Sequence, residues 1–251
     1  MIGHSSNLIG LPTGLLASAS FNEFPIPLHI RGTREFHAPL FESLKKAESP
    51  DEAGRIFLEY MNDAFGQERR RARRFHASFL QVLDDWGFDS NGQAGAVLKG
   101  WVESRFGLFP TFHKKPIRRF NSPAWLTYVE EKMSSRFNNN EILIQFDLLY
   151  EFCQWSMLNF LGTRHLVLYR GTNDMNDLVH DAKTAIVRLN SLTSFTSKRG
   201  IADEFGDTIV EVEVPTVKVL FYNELLKPYT LQGESEYLVI GGDYRVKLSY
   251  Y

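Results

Sequence analysis

The 251-residue chain has a single cysteine, Cys153, and therefore cannot form an intrachain disulfide bond. This cysteine falls in an apolar stretch with helical spacing, where we expect a buried and unreactive thiol. The seven histidines show no HxxxH or comparable ligand spacing, so we predict no metal site. A GxGxxG motif after a predicted strand is also missing, which excludes dinucleotide binding of the Rossmann type.

Strong net charge and long apolar runs are lacking too. The formal net charge is −2 at pH 7, so no broad basic field predicts binding to nucleic acid. No apolar run reaches the roughly 18 residues that a membrane span requires, and the N-terminus lacks the features of a signal peptide. We therefore expect a cytoplasmic protein. The basic run Arg69–Arg74 is interpreted as a solvated helix face or, alternatively, as a docking site for an acidic protein surface.

The first part of the chain has the spacing of helices. Apolar residues make up 43% of the sequence, enough for a substantial core. The first forty residues are irregular, with loops and brief helical turns. Beyond Asp51, apolar residues recur with helical spacing, which predicts helices from Asp51, over Phe75–Trp86 with Gly87 at the end, around Val97–Phe106, and over Ile142–Phe160 with Gly162 as the cap.

After Gly162 the pattern changes to that of strands. Val210, Val212 and Val214 alternate with glutamates, as in a half-exposed strand. Further strands are predicted at His165–Arg170, Leu192–Thr196, Val217–Tyr222, Tyr237–Ile240 and Tyr244–Tyr250, and helices at Met175–Val187 and Ile201–Phe205. The predicted fold class is α+β, in which a helical N-terminal half, residues 1–162, packs on a β-rich C-terminal half, residues 163–251.

Two segments of the second half carry candidate functional groups at strand ends. Arg170 is followed by Gly171, so its planar guanidinium could face a phosphate or a carboxylate, although most arginines at strand ends are simply solvated. In the second segment, the hydroxyls of Ser194 and Ser197 could brace a catalytic side chain. Ser197 could instead cap the helix that follows.

A third segment contains two glutamates. Glu234 and Glu236 are two residues apart, so on a strand they would share one face. Glu211 and Glu213 have the same spacing but lie in the valine-alternating strand, where they are most simply its wet face. The later pair precedes the apolar run Tyr237–Ile240, and carboxylates at the entrance of a buried strand favour a functional role.

Arginine, a Ser/Thr strand and Glu-x-Glu, in this order, resemble the motifs of arginine-specific ADP-ribosyltransferases across roughly Leu166–Lys247. The middle motif departs from the usual Ser-Thr-Ser, since Phe195-Thr196-Ser197 follows Ser194. Either Ser194 or Ser197 could therefore be the bracing hydroxyl. In the first half, Gly3–Ala17, Trp86–Asn91 and Leu98–Pro110 resemble the NAD–dinitrogen-reductase ADP-ribosyltransferases, so the resemblance covers nearly the whole chain.

The resemblance implies NAD as co-substrate and an oxocarbenium-like transition state. It implies that Glu236 stabilises the positive charge, that Glu234 orients the target arginine, and that Ser194 or Ser197 fixes Glu236. Arg170 would hold the phosphates of NAD, and the expected NAD-binding residues are Arg170, Gly171, Thr172, Thr196 and Phe205.

The implied partners are dinitrogenase reductase as protein substrate and a PII-type nitrogen-signalling protein as regulator. Trp86–Pro110, with Lys99 and Arg105, is the segment in which we expect contact with protein partners. Two alternatives stay open: an ADP-ribosyltransferase for another arginine-bearing protein, and a non-catalytic module that senses NAD or PII.

Overall fold

The computed structural model describes residues 3–4, 6–66, 78–173, 179–181, 185–227 and 235–250, of which 179–181 and 250 are described by their backbone alone. The basic run Arg69–Arg74 and the glutamate Glu234 lie outside the described residues.

Helices form most of the described chain up to Leu161, as predicted. A two-stranded hairpin lies among them, composed of β1 (Phe112–His113) and β2 (Lys115–Pro116). The helices are α1 (Thr13–Leu16), α2 (Ala19–Glu23), α3 (Thr33–Phe36), α4 (Ala38–Leu44), α5 (Pro50–Gly66), α6 (Phe79–Phe88), α7 (Gln93–Phe106), α8 (Pro123–Ser134) and α9 (Asn140–Ser156).

The ends of helices α6 and α9 have identifiable causes. Helix α9 continues as a π-helical turn to Leu161 and ends at Gly162, whose φ of 64° is left-handed, so the predicted cap is confirmed. The prediction that Gly87 ends α6 is wrong. One more residue remains helical because the N–H of Asp89 donates to the carbonyl of Asp85, and Asp89 itself turns to extended backbone.

Strands dominate the rest of the chain, so the predicted α+β class is confirmed. Within the described residues, six strands form one antiparallel sheet in the order β4-β5-β3-β6-β8-β7, and β5 also pairs with β8. Strands β3, β5, β8 and β6 therefore pair in a closed ring. The elements are β3 (His165–Thr172), β4 (Val179–Asp181), β5 (Ile186–Thr196), α10 (Arg199–Ala202), a 3₁₀ turn (Asp203–Phe205), β6 (Thr208–Pro215), β7 (Val219–Tyr222) and β8 (Glu236–Tyr250).

Two predictions about this region are wrong. The helix expected over Met175–Val187 is replaced, where the chain is described, by β4 and the start of β5, because Val179 pairs with Val187 across an antiparallel ladder. β-branched residues fit a pleated surface better than a helix. The two strands expected at Tyr237–Ile240 and Tyr244–Tyr250 are one strand, β8, which passes through Gly241 and Gly242.

The helical and β-rich parts share one hydrophobic core. A single buried cluster includes Phe57 and Phe152 from the helices together with Leu220 and Ile240 from the strands. Cys153 is buried in it, and burial raises the pKa of its thiol, which agrees with the inert role expected. None of the described helices is both long and apolar enough to cross a membrane.

A buried lysine fastens the N-terminal segment to β8. The Nζ of Lys218 donates to the carbonyl oxygens of Leu16 at 2.8 Å and Gly241 at 2.9 Å. The side chain is fully buried, and burial lowers its pKa from 10.5 to about 7. Between these pH values the unfolded chain holds a proton that the folded protein does not hold, so the free energy of unfolding rises with pH.

We predict that Lys218→Met flattens this rise. The slope of the unfolding free energy between pH 7 and 9 should fall by up to about 1.4 kcal/mol per pH unit. Denaturant unfolding at pH 7, 8 and 9 measures this slope. Lys45→Met, at a solvent-exposed lysine, is the control and should keep the wild-type slope. An unchanged slope in Lys218→Met would show that the lowered pKa of Lys218 does not cause the rise.

Candidate active site

A cavity of about 670 Å³ opens where the end of α6 meets strands β3, β5 and β8. It combines residues from the helical part with residues from three strands that are far apart in sequence. Its walls are formed by Trp86, Gly87, Phe88, Asp89, Ser90, Tyr169, Arg170, Gly171, Thr172, Asn173, Ser194, Phe195, Thr196, Ile201, Ala202, Phe205 and Glu236. The cavity thus gathers most of the residues that the sequence singled out.

Strand register sets the position of Glu236. Thr196 on β5 is paired with Glu236 on β8 and also with Tyr169 on β3, so the three residues form a row across neighbouring strands. Directly paired residues have Cβ atoms about 4.5–5.5 Å apart. Glu236 is only 9% exposed, so this residue of the cavity wall is largely shielded from solvent. Tyr169 was missed in the sequence because nothing distinguishes it from other strand tyrosines.

Arg170 brings a positive charge to the same cavity. Its Nη1 donates to the Ser194 carbonyl oxygen at 2.9 Å, which fixes the guanidinium. Burial lowers the pKa of Arg170, and the negative charge of Glu236 partly offsets this effect. The two groups thus lie close enough to interact electrostatically.

Gly171 permits a close backbone contact because it has no side chain. A Cβ atom at this position would lie 2.0 Å from the carbonyl oxygen of Ala202. Only glycine therefore lets the turn that contains α10 lie against β3. This close approach brings Ala202 and the exposed ring of Phe205 to the wall of the cavity.

The two candidate serines are placed differently. The Ser194 hydroxyl oxygen lies in the cavity wall and accepts a hydrogen bond from Trp86 Nε1 at 3.0 Å. Ser197 is exposed and is not among the residues of the cavity wall. It is not the cap of α10 either, because Lys198 occupies that position and makes no side-chain cap bond. Thr196 accepts from the N–H of Lys198 at 3.1 Å through its hydroxyl.

The helical part contributes Trp86 as a wall of the cavity. The indole is 4% exposed, and the ammonium of Lys99 lies 5.9 Å from the centre of its ring. Sequence reasoning found the segment Trp86–Asn91 distinctive but assigned it no chemistry. The strand that Trp86 contacts, β5, is distant in sequence, so only the folded structure shows this contact.

Lys99 and Arg105 do not form the surface contact that we expected. Lys99 is 1% exposed and donates to Asn91 Oδ1 at 3.0 Å, and burial lowers its pKa to about 7. Arg105 makes two hydrogen bonds to Asp147, both 2.8 Å long. Helix α7 is packed inside the helical part, and its charges are therefore used within the protein.

Neither glutamate of the earlier pair is among the residues of the cavity wall. Glu213 is exposed and Glu211 is partly exposed, with Lys247 at 3.1 Å from Glu211. The prediction of a solvated strand face is confirmed. Among the described residues, no group of three or more His, Cys, Asp and Glu side chains is arranged to hold a metal ion.

An arginine and a buried glutamate in one cavity of a ring of antiparallel strands fit the class of ADP-ribosyltransferases. The profile of the family described as dinitrogenase reductase ADP-ribosyltransferase (DRAT) matches residues 6–248. A relative from Rhodospirillum rubrum, NAD(+)–dinitrogen-reductase ADP-D-ribosyltransferase, is 54% identical over 265 aligned positions, which cover 99% of this chain and 96% of the relative. The chain belongs to the dinitrogenase reductase ADP-ribosyltransferase family, and the resemblance seen in its sequence is confirmed. No solved structure matches it.

We predict that the Trp86–Ser194 hydrogen bond couples the helical wall to β5. Ser194→Ala should cost about 1–3 kcal/mol of unfolding free energy because it leaves the indole N–H without its acceptor. Once Trp86→Phe has removed the donor, the same Ser194→Ala change should cost less. Denaturant unfolding of both single variants and the double variant measures the coupling. Costs that add to within about 0.5 kcal/mol would show that the bond carries no coupling.

Proposed function

We propose that this protein transfers ADP-ribose from NAD to an arginine of dinitrogenase reductase and releases nicotinamide. The names of the family and of the relative from Rhodospirillum rubrum support the reaction and the target. The observation that carries the proposal in this chain is that Arg170, Ser194, Thr196 and Glu236 line one cavity. A protein that only binds NAD does not require a buried carboxylate in this cavity.

The proposed reaction exchanges one bond at C1′ of the nicotinamide ribose. The bond to the nicotinamide nitrogen breaks, and nicotinamide leaves with the electron pair. A nitrogen of the target guanidinium then bonds to C1′ and gives up a proton. Positive charge develops on the ribose in the transition state, as in glycoside hydrolysis. A fixed carboxylate beside that charge can contribute several kcal/mol, and Glu236 is the carboxylate held in this position.

Arg170 is proposed to bind the pyrophosphate of NAD. Its planar guanidinium can donate two hydrogen bonds to a phosphate, and the bond to the Ser194 carbonyl orients it beforehand. Gly171 and Thr172 continue the same wall, and Thr196 lies opposite Glu236. Phe205, which is 66% exposed, offers a ring face to the dinucleotide. The shared cavity thus supports five residues as contacts of NAD: Arg170, Gly171, Thr172, Thr196 and Phe205.

Ser194 is the hydroxyl that we propose as the brace of Glu236 or of the ribose. Its oxygen already accepts from the Trp86 indole, so its own hydrogen is available to point at an acceptor within the cavity. Ser194 pairs with Leu238, two residues from Glu236 on β8. Ser197, which is outside the cavity wall, has less support for this role.

Glu234 is proposed, from the family motif, to align the target guanidinium and to accept its proton.

A regulator of the PII type is proposed from the family resemblance, and the reaction would take place in the cytoplasm. Adding a PII-type protein to the transfer assay tests the regulation, because an unchanged rate of transfer in its presence would contradict it.

We predict that Glu236→Gln lowers nicotinamide release by about a hundredfold or more, on the scale of losing one preorganised electrostatic group. The fold and NAD affinity should change far less. The assay uses labelled NAD with dinitrogenase reductase and records both released nicotinamide and labelled protein. The matched control is Glu211→Gln, at the partly exposed glutamate that pairs with Lys247. Near-normal turnover in Glu236→Gln would remove this residue from the mechanism.

Glu234→Gln should separate transfer from hydrolysis. If Glu234 acts on the incoming guanidinium, its loss suppresses labelling of protein. Water is present at roughly 55 M and needs less positioning, so slow NAD hydrolysis should persist. Both products can be measured in the same tube, with Glu213→Gln, at an exposed glutamate of the same spacing, as the control. A proportional loss of both activities would mean that Glu234 and Glu236 act on NAD as one unit.

A further inference from the structure

The end of α6 presents a phenylalanine ring to solvent at the cavity. Phe88 is 76% exposed, although it follows the buried Trp86 by only two residues. Single exposed apolar residues are common on protein surfaces and need no explanation by themselves. Phe88 differs because it is also among the residues that line the candidate active site.

The backbone at this end of α6 holds the ring outward. Helix α6 ends at Phe88, and Asp89 continues in extended conformation with φ −150° and ψ 96°. The Asp89 carboxylate accepts the N–H of Asn91 through Oδ1 at 2.9 Å, which fixes the turn. On the inner side, the Trp86–Ser194 hydrogen bond anchors the same helix end to β5. Phe88 is therefore an exposed ring on a rigid support.

The acceptor in the proposed reaction has the chemistry that such a ring recognises. An arginine guanidinium is planar and stacks on aromatic faces, and it is attracted to the electrons of the ring. Asp89 is an exposed residue of the same wall, and its negative charge complements the incoming cation. An arginine side chain that approaches Glu236 must enter this cavity from solvent, where Phe88 lies.

We infer that Phe88, supported by Asp89, receives the arginine side chain of the protein substrate as it enters the cavity. This inference rests on the proposed function and makes Phe88 a specificity-determining residue for the acceptor, distinct from the groups that act on NAD. Within the segment Trp86–Pro110, Phe88 therefore takes the role of protein contact that we expected of Lys99 and Arg105. The protein substrate contacts this segment at the end of α6, beside the cavity.

Phe88→Ala tests the inference. We expect kcat/KM for transfer to dinitrogenase reductase to fall about tenfold or more, on the scale of losing an aromatic contact at an interface. NAD hydrolysis without protein acceptor should change much less, so the ratio of transfer to hydrolysis falls. Phe88→Tyr keeps an aromatic face and should restore most of the transfer. Because the ring is exposed, the melting temperature of both variants should stay near that of the wild type.

Phe36→Ala is the matched control, because Phe36 is 86% exposed and is not among the residues of the cavity wall. It should leave the ratio unchanged. If Phe88→Ala keeps the wild-type ratio, or loses hydrolysis in proportion to transfer, the inference is overturned while the proposed function stands. A wild-type protein that releases no nicotinamide from NAD would instead overturn the proposed function, and the inference with it.

Discussion

The register between β5 and β8 is the constraint on which the rest of the site depends. The ladder runs from Ile186 opposite Arg245 to Thr196 opposite Glu236. A slip by one residue would turn Glu236 to the other face of the sheet. One bulge interrupts the ladder between Leu189 and Leu192, beside Gly241. A Cβ atom on Gly241 would lie 1.8 Å from the Asn190 carbonyl oxygen, so this crossing requires glycine and helps to fix the register.

The helical part completes a cavity that the strands alone would leave open. Trp86 closes one wall through its hydrogen bond to Ser194, and Ser194 in turn holds Arg170 through its carbonyl oxygen. The chain of contacts from α6 to β5 to β3 therefore orients the cation of Arg170 in the cavity that also holds the buried Glu236. Such fixed charges are the form of electrostatic preorganisation that stabilises a transition state without reorganisation of the protein.

The sequence predicted those features that depend on local pattern. Helix α9 and its cap at Gly162 follow from apolar spacing and a glycine, and β6 follows from the alternation of valine and glutamate. Arg170, Ser194 and Glu236 were found because their order along the chain matches a family motif. Local pattern misassigned Val179–Asp181, since pairing with β5 decides that segment. It also divided β8 in two at Gly241 and Gly242, because glycines that permit a close crossing look like turn residues. Trp86 and Phe88 needed the contact between the end of α6 and β5, which no local pattern contains.

The proposed binding site of NAD is the cavity between α6 and strands β3, β5 and β8. The most direct test is a crystal structure of the Glu236→Gln variant with NAD, since this variant should bind the dinucleotide and hold it unreacted. The account predicts the nicotinamide ribose beside residue 236, the pyrophosphate at the Arg170 guanidinium, and the indole of Trp86 in the adjoining wall. NAD bound outside this cavity, or with its pyrophosphate away from Arg170, would contradict the account.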